Sequence, residues 1–522
     1  MLRRGVVWLL SLLLVFWFAF DRAAARPGGG QSYRSSSRSS SSSSRSYSGS
    51  SSSSSRSYSS PSSSSSRGYS SGSSSRSYGS SSSSYGSSYG SGSSTTVVYT
   101  GGGSSSSGWL IPIFVFAVIV LLIWLASRNN KQKPERAKLA VDNSLAKAGL
   151  DELRKHDPDF EPMTFLSRTK TVVAKVNEAW LAGNMGPARR VISDGVYVRF
   201  STQLELLRAQ GLRNMMADWR VVSADILAAV ADAQWDTVHV KIVGEARDRD
   251  VGINLSPSEA LSQTKKAALS QYHEVWSFVR RRGKHSKKGI PALEGKCPSC
   301  GADLPLGEVV KCEYCKALVN SGEHDWVLAE ITQPEEWRAD PAVGDISGLE
   351  ELRQRDPSVS RQEIEDRASV IFWKWIEAKA TQKSDKLHRF CVSPPTSPSE
   401  QSELSLDAAK LTQVAVGSAE LESVLTGGEQ DYAYVEIMWS ASVGGKEPEN
   451  FTHVFALARS ATAKSRTGLS SLDCPECGGP LAGSDAVTCQ YCGTKLTGGK
   501  REWALFAVEG GATDEGDEDD DE

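Results

Sequence analysis

The sequence predicts an α+β protein: two tandem cone-like modules, each with helices on a curved antiparallel sheet and a zinc-ribbon insertion, placed after a transmembrane helix and a disordered Ser-rich segment. Three observations predict it. Two cysteine blocks, Cys297-x2-Cys300-x11-Cys312-x2-Cys315 and Cys474-x2-Cys477-x11-Cys489-x2-Cys492, have identical spacing. In the first copy apolar residues recur at helical intervals and later alternate as in strands, and short matches extend this order to the second copy. An uncharged apolar run precedes both.

The N-terminal quarter reads as non-globular. Residues 1–25 contain Arg3 and Arg4, an apolar run from Gly5 to Phe20 and the small residues Ala23, Ala24 and Ala25, the order of a secretory signal peptide or of an uncleaved anchor. Residues 26–107 are rich in Ser, Gly, Arg and Tyr, and no acid occurs from Gln31 to Ser107. Such a segment has too little apolar side chain to offset the entropy of ordering its backbone, so it is expected to be disordered. Residues 109–126 carry no charge, and a helix of that length reaches roughly 27 Å, close to the ~30 Å of a bilayer's hydrocarbon core. Arg128, Lys131, Lys133, Arg136 and Lys138 in the basic linker 127–148 then orient the C-terminal remainder of the chain toward the cytoplasm. The expected location is the cell (inner) membrane, crossed once, with the Ser-rich segment outside and the modules inside.

The first module spans 149–332, with its ribbon at 295–318. Asp157-Pro158 suits a helix cap followed by proline at the first helical position. Phe165, Thr169, Val172, Val176 and Trp180 share one helical face. A second helix is expected from near Pro187, carrying Val191 through Leu207. After Trp219 the pattern becomes strand-like: Val238, Val240 and Ile242 alternate with Thr237, His239 and Lys241, and Val275–Val279 and Trp326–Ile331 give two more strands. Helices first and strands later define the α+β class. The second module spans 348–509, with its ribbon at 472–495. GLDELRKHDP from Gly149 matches GLEELRQRDP from Gly348, and DTVHVKIVGEA from Asp236 matches DYAYVEIMWSA from Asp431. These matches imply an internal duplication. Residues 510–522 form an acidic, disordered tail.

Eight of the nine cysteines form four C-x-x-C pairs, and disulfides are rare in a reducing cytoplasm, so metal binding is the favoured reading. Cys297, Cys300, Cys312 and Cys315, and likewise Cys474, Cys477, Cys489 and Cys492, have the composition of a closed structural zinc site. Two zinc ions per chain are expected, each closing a long loop inserted in the terminal hairpin of its module. Cys391 lacks a pair and reads as a small buried hydrophobe.

Beyond these patterns, His156-Asp-Pro-Asp-Phe160, Phe165, Asn177-Glu-Ala-Trp180, Gly183-Asn184, Glu274-Val-Trp-Ser-Phe-Val-Arg280 and Trp326-Val-Leu-Ala329 resemble the C-terminal domain of the mitochondrial inner-membrane translocase subunit forty-four. Bacterial membrane proteins carry similar Tim-forty-four-like domains. The resemblance covers roughly 150–331 and, more faintly, 349–508. It implies a fold similar to nuclear transport factor two with a curved sheet around an apolar pocket, membrane attachment and protein binding. The mitochondrial relatives lack these ribbons, so import-motor activity is not carried over.

No Gly-rich phosphate loop, metalloprotease helix or nucleophile elbow is present. His273 and Glu274 are the nearest approach to an acid/base pair and read as surface or hairpin residues. Arg280, Arg281, Arg282, Lys284, Lys287 and Lys288 form a basic loop suited to anionic lipid. A net charge of −3 and eight acids in Asp514–Glu522 disfavour a nucleic-acid partner. The expected function is therefore a membrane-tethered, non-catalytic scaffold that binds a protein partner, in protein transport or envelope assembly. The alternative is an enzyme or small-ligand sensor using the apolar pocket of the first module.

Overall fold

The computed structural model describes residues 143–305, 309–337, 346–393, 411–481, 483 and 485–512, all within one compact unit. The signal, the Ser-rich segment, the apolar run 109–126, most of the basic linker and residues 513–522 lie outside them. Among the described residues no helix is long and apolar enough to cross a membrane.

Helix α1 (Asn143–His156) leads into α2 (Pro162–Leu181). Here the structure corrects the sequence reading: the cap of α2 is Glu161, whose carboxylate accepts from the Met163 and Thr164 N–H groups, and Pro162 is the first-turn proline. Asp157 is committed instead to a buried ion pair with Arg280. The predicted face of α2, from Phe165 to Trp180, is buried. Pro187 starts only a 3-10 turn (Gly186–Ala188), and the helix α3 runs from Asp194 to Ala209. The reason is local: Ile192 bridges Leu328 in parallel fashion, so the backbone is held extended until Ser193 caps the helix by accepting from Val196 N–H.

Four strands form an antiparallel meander: β1 (Leu212–Ala231), β2 (Trp235–Gly252), β3 (Leu269–Arg281) and β4 (Val327–Thr332), with α4 (Pro257–Thr264) between β2 and β3. Val238, Val240 and Ile242 point into the core with no exposure. Strand β1 is not legible in the sequence. Register shifts at Ala217/Arg220, Val221/Ser223 and Ile226/Ala228 repeatedly break its period of two, and such bulges bend and twist a strand.

The second half repeats this order with α5 (Leu349–Arg355), α6 (Arg361–Thr381), a 3-10 turn (Ser384–Phe390) and a second meander of β5 (Leu411–Leu425), β6 (Gln430–Val443), β7 (Glu449–Ser460) and β8 (Ala504–Ala512). Two such sheets, each preceded by helices, are consistent with tandem modules. Strand β5 has three register shifts like β1. The second half is shorter mainly because β6 and β7 are joined by a tight turn where β2 and β3 enclose α4. Residues 510–512, expected in the tail, instead complete β8 opposite Phe451–His453.

The halves interlock. Helix α3 packs against α6, and its Val198 enters the second core while Val196, Phe200, Leu204 and Leu207 fill the first. Gly195 makes this approach possible: its N–H donates to Asp366 Oδ1 at 2.9 Å, and a Cβ there would lie 2.7 Å from the same oxygen. Leu469, just before the second ribbon, inserts among Trp235, Val279 and Val327 of the first sheet. The Asp194 carboxylate accepts from the Ser471 and Leu472 N–H groups at 2.8 and 2.9 Å.

Candidate metal centres and the basic loop

Each cysteine block sits between the last two strands of its sheet, as expected: the first between β3 and β4, the second between β7 and β8. Within a block each C-x-x-C pair forms a tight knuckle closed by an antiparallel bridge, Lys296 with Asp303 and Lys311 with Leu318 in the first, Asp473 with Pro480 and Thr488 with Lys495 in the second. Gly301 and Gly478 adopt positive φ at the turn, the conformation that favours glycine. Gly301 N–H donates to Cys297 O and Gly478 N–H to Cys474 O, each at 2.8 Å.

The turns bring Cys297, Cys300, Cys312 and Cys315 into one cluster and Cys474, Cys477, Cys489 and Cys492 into another. All eight thiols are free of disulfides. The Sγ separations are 3.7 Å for Cys297–Cys315 and 3.8 Å for Cys300–Cys312, and 3.7 Å for both Cys474–Cys492 and Cys477–Cys489. A tetrahedron with metal–sulfur arms of about 2.3 Å has edges of about 3.8 Å. The donor set therefore fits a four-thiolate zinc ion without rearrangement. Backbone N–H groups support the anionic form: Gly479 N–H points at Cys477 Sγ and Tyr491 N–H at Cys489 Sγ, both at 3.4 Å. In each cluster two thiols are buried and two exposed. Cys391 is buried in the second core, where burial pushes its thiol up to about 12.

The basic loop divides into two parts. Arg280 is wholly buried and does not face a membrane, which corrects its assignment to lipid. Its guanidinium meets Asp157 at 2.7 Å and Asp236 at 3.5 Å and lies 4.3 Å over the ring of Trp326. Ser286 closes the network, donating to Asp157 through N–H and Oγ. Burial opposes ionisation of Asp157, but the Ser286 and Arg280 hydrogen bonds prevail and hold its carboxyl below the usual range. Arg281 stacks on Trp235 and bonds Gln234, while Arg282 bonds Asp232 O. Lys284 is partly exposed, and Lys287 and Lys288 are exposed.

The second half builds the same network. Arg459 meets Asp356 at 2.8 Å and Asp431 at 3.7 Å, lies 4.5 Å over Trp503, and is joined by Ser465 at 2.9 Å. This accounts for several of the repeated letters, the Asp of Asp-Pro, the first Asp of β2 and β6, the Arg near the end of β3 and β7, and the Trp after each ribbon. Gly149 and Gly348 belong to the same logic, because a Cβ at either would overlap a strand carbonyl, Ala229 O or Val424 O.

His273 and Glu274 do not form an acid/base pair in a cleft. Glu274 is buried rather than superficial, and it accepts from Trp276 Nε1 at 2.8 Å. Trp180, Phe200, Trp276, Phe278 and Leu328 belong to the buried apolar cluster of the first half. The Trp180 indole N–H donates to Asn214, which donates in turn to Asp248 and Asp250.

Fold and site together define an α+β protein with helices on antiparallel meanders and two four-thiol clusters able to hold metal. Residues 146–289 match the Tim44-like domain family. That match runs from α1 to the basic loop and ends before the first cysteine. No curated protein matches the chain.

Proposed function

We propose that this chain is a membrane-tethered, non-catalytic scaffold whose duplicated modules, each carrying a zinc ribbon, bind a protein partner on the cytoplasmic side of a cell membrane, in protein transport or envelope assembly. The observation that carries it is the Tim44-like match over a module whose buried apolar cluster includes Trp180, Phe200, Trp276 and Phe278. Zinc, held by Cys297, Cys300, Cys312 and Cys315 and by Cys474, Cys477, Cys489 and Cys492, acts structurally in this reading. Four thiolates complete a tetrahedral shell and leave no position for a substrate. The apolar run 109–126 supplies the tether, and Lys284, Lys287 and Lys288, with Arg281 and Arg282 at the base of the loop, supply charge for anionic lipid headgroups.

Crosslinking the full chain in its native membrane tests the partner. The expected result is one protein captured from residues on either module and lost when either ribbon is disrupted. Capture that is indifferent to both ribbons, or a reporter fused after Glu522 found on the outer side of the bilayer, would overturn the reading.

A further inference from the structure

A groove of about 290 Å³ separates the basic loop from the first ribbon, lined by Lys284 to Lys287 on one side and by Pro298, Ser299 and His324 on the other. Both walls are fixed. Ser286 is tied to the buried Asp157–Arg280 pair through its N–H and hydroxyl, which holds the loop in place. Pro298 and Ser299 lie inside the knuckle of the first thiol cluster. Among the described residues Lys284 and Lys287 make no ion pair or side-chain hydrogen bond. The nearby carboxylates face histidines: Glu323 lies 3.7 Å from His324, and Asp159 lies 3.9 Å from His285. Burial disfavours the protonated His324 ring; the adjacent Glu323 charge favours it, and the Lys284 and Lys287 charges oppose it.

The second half shows what the same place looks like when the chain neutralises it. Glu476 and Arg501 stand where the first half has Ser299 and His324, and they pair at 2.6 Å. Lys464 there donates to Arg355 O and Arg466 to Cys474 O, so its cations are engaged internally. The first half has no carboxylate at that position, and Lys284, Lys287, Ser299 and His324 line one space together with His285 and Ser286.

We propose that this groove binds a phosphate group, with Lys284 and Lys287 supplying charge and Ser299 and His324 supplying hydrogen bonds. Free phosphate and the phosphate of an anionic glycerophospholipid headgroup share that chemistry, whereas the ammonium of a choline headgroup cancels the net charge that the two lysines require. With a lipid as the source, the site deepens and rests on the proposed role of Lys284 and Lys287 at anionic headgroups; membrane tethering is tested separately by alkaline extraction.

The full chain in non-ionic detergent is titrated with inorganic phosphate, with dihexanoyl phosphatidylglycerol and, as a zwitterionic control, with dihexanoyl phosphatidylcholine, while hydrogen exchange is followed in peptides covering 283–300. Exchange is expected to slow with phosphate, with the glycerol lipid or with both, the responding probe identifying the source. Lys284→Gln with Lys287→Gln should raise the half-saturating concentration about tenfold or more, and Ser299→Glu with His324→Arg, which installs the pairing of the second half, should abolish the effect. Metal content and thermal midpoint monitor folding; if a double variant fails to fold, Lys287→Gln alone carries the test. No slowing with either anionic probe, equal slowing with phosphatidylcholine, or unchanged binding in the folded variants would overturn the proposal.

Discussion

Arg280 sits without solvent exposure between Asp157 and the face of Trp326, and Arg459 does the same between Asp356 and Trp503. Removing one member of such a pair strands a buried charge, which costs about 3–5 kcal/mol, whereas replacing both by apolar groups of similar volume is often close to neutral. Arg280→Ala is therefore expected to lower stability by about 3–5 kcal/mol, and Arg280→Met with Asp157→Leu by less, with Asp236 left to His156 as its remaining partner, as read by chemical denaturation. Equal losses would mean that the pair is not the source. A second residue-scale effect concerns Asp366, whose carboxyl is pushed up to about 7, first by burial and then by the nearby Asp194 charge. A raised folded value means that the native state holds the proton between about 4 and 7, so this residue's contribution to stability falls as pH rises through that window and is lowest above it. Asp366→Asn keeps an acceptor for Gly195 N–H and removes the titration. It should raise the thermal midpoint most at pH 8, by a smaller amount at pH 5 and least near pH 4, with a flatter pH profile than the parent. A parallel shift at both pH values would contradict this cause.

At the scale of elements, the ribbons are small clusters that cannot stand on apolar packing. Among the described residues the first has a small apolar cluster of Cys297, Leu304, Val310, Cys312 and Val319, the second one of Cys474, Cys489 and Leu496. On the proposed reading, metal ligation would then be the main source of their order. Elemental analysis of the full chain should give two zinc ions, and Cys312→Ser with Cys315→Ser should leave one. Hydrogen exchange in those variants should rise within 296–319 and stay slow in β3, because the Arg280 network anchors that strand independently. Loss of protection throughout β3 would show that ribbon and sheet fold as one. The two four-cysteine clusters were legible from spacing alone, since C-x-x-C turns are local and identically spaced in both halves. Strand β1 and the start of α3 were not, because bulges erased the period of one and a tertiary bridge from Ile192 to Leu328 set the other.

For the whole molecule, the shared helix α3, the Leu469 insertion and the Asp194 contact with Ser471 and Leu472 make the two halves one body. Calorimetry of the described region is expected to give a single unfolding transition. A chain ending after residue 337 should be less stable and prone to aggregation, since it would expose Val198, Trp235, Val279 and Val327. Two well-separated transitions, or a first half as stable alone as in the full chain, would exclude this coupling. The sequence contains a trace of it: α3 and α6 are apolar on more than one face, which a helix covered on a single side does not require.

The sequence by itself determined the α+β class, the paired thiol clusters, the repeat and the inward-facing strand residues, because each depends on spacing within one segment or on comparing two segments letter by letter. Only the tertiary structure decided that Asp157 is an ion-pair partner rather than a helix cap, that Arg280 leaves the basic loop for the core, and that the two modules share a helix. Those outcomes depend on which distant groups meet once the chain is packed. A charged side chain carries no local mark of whether water or a buried counter-ion will solvate it.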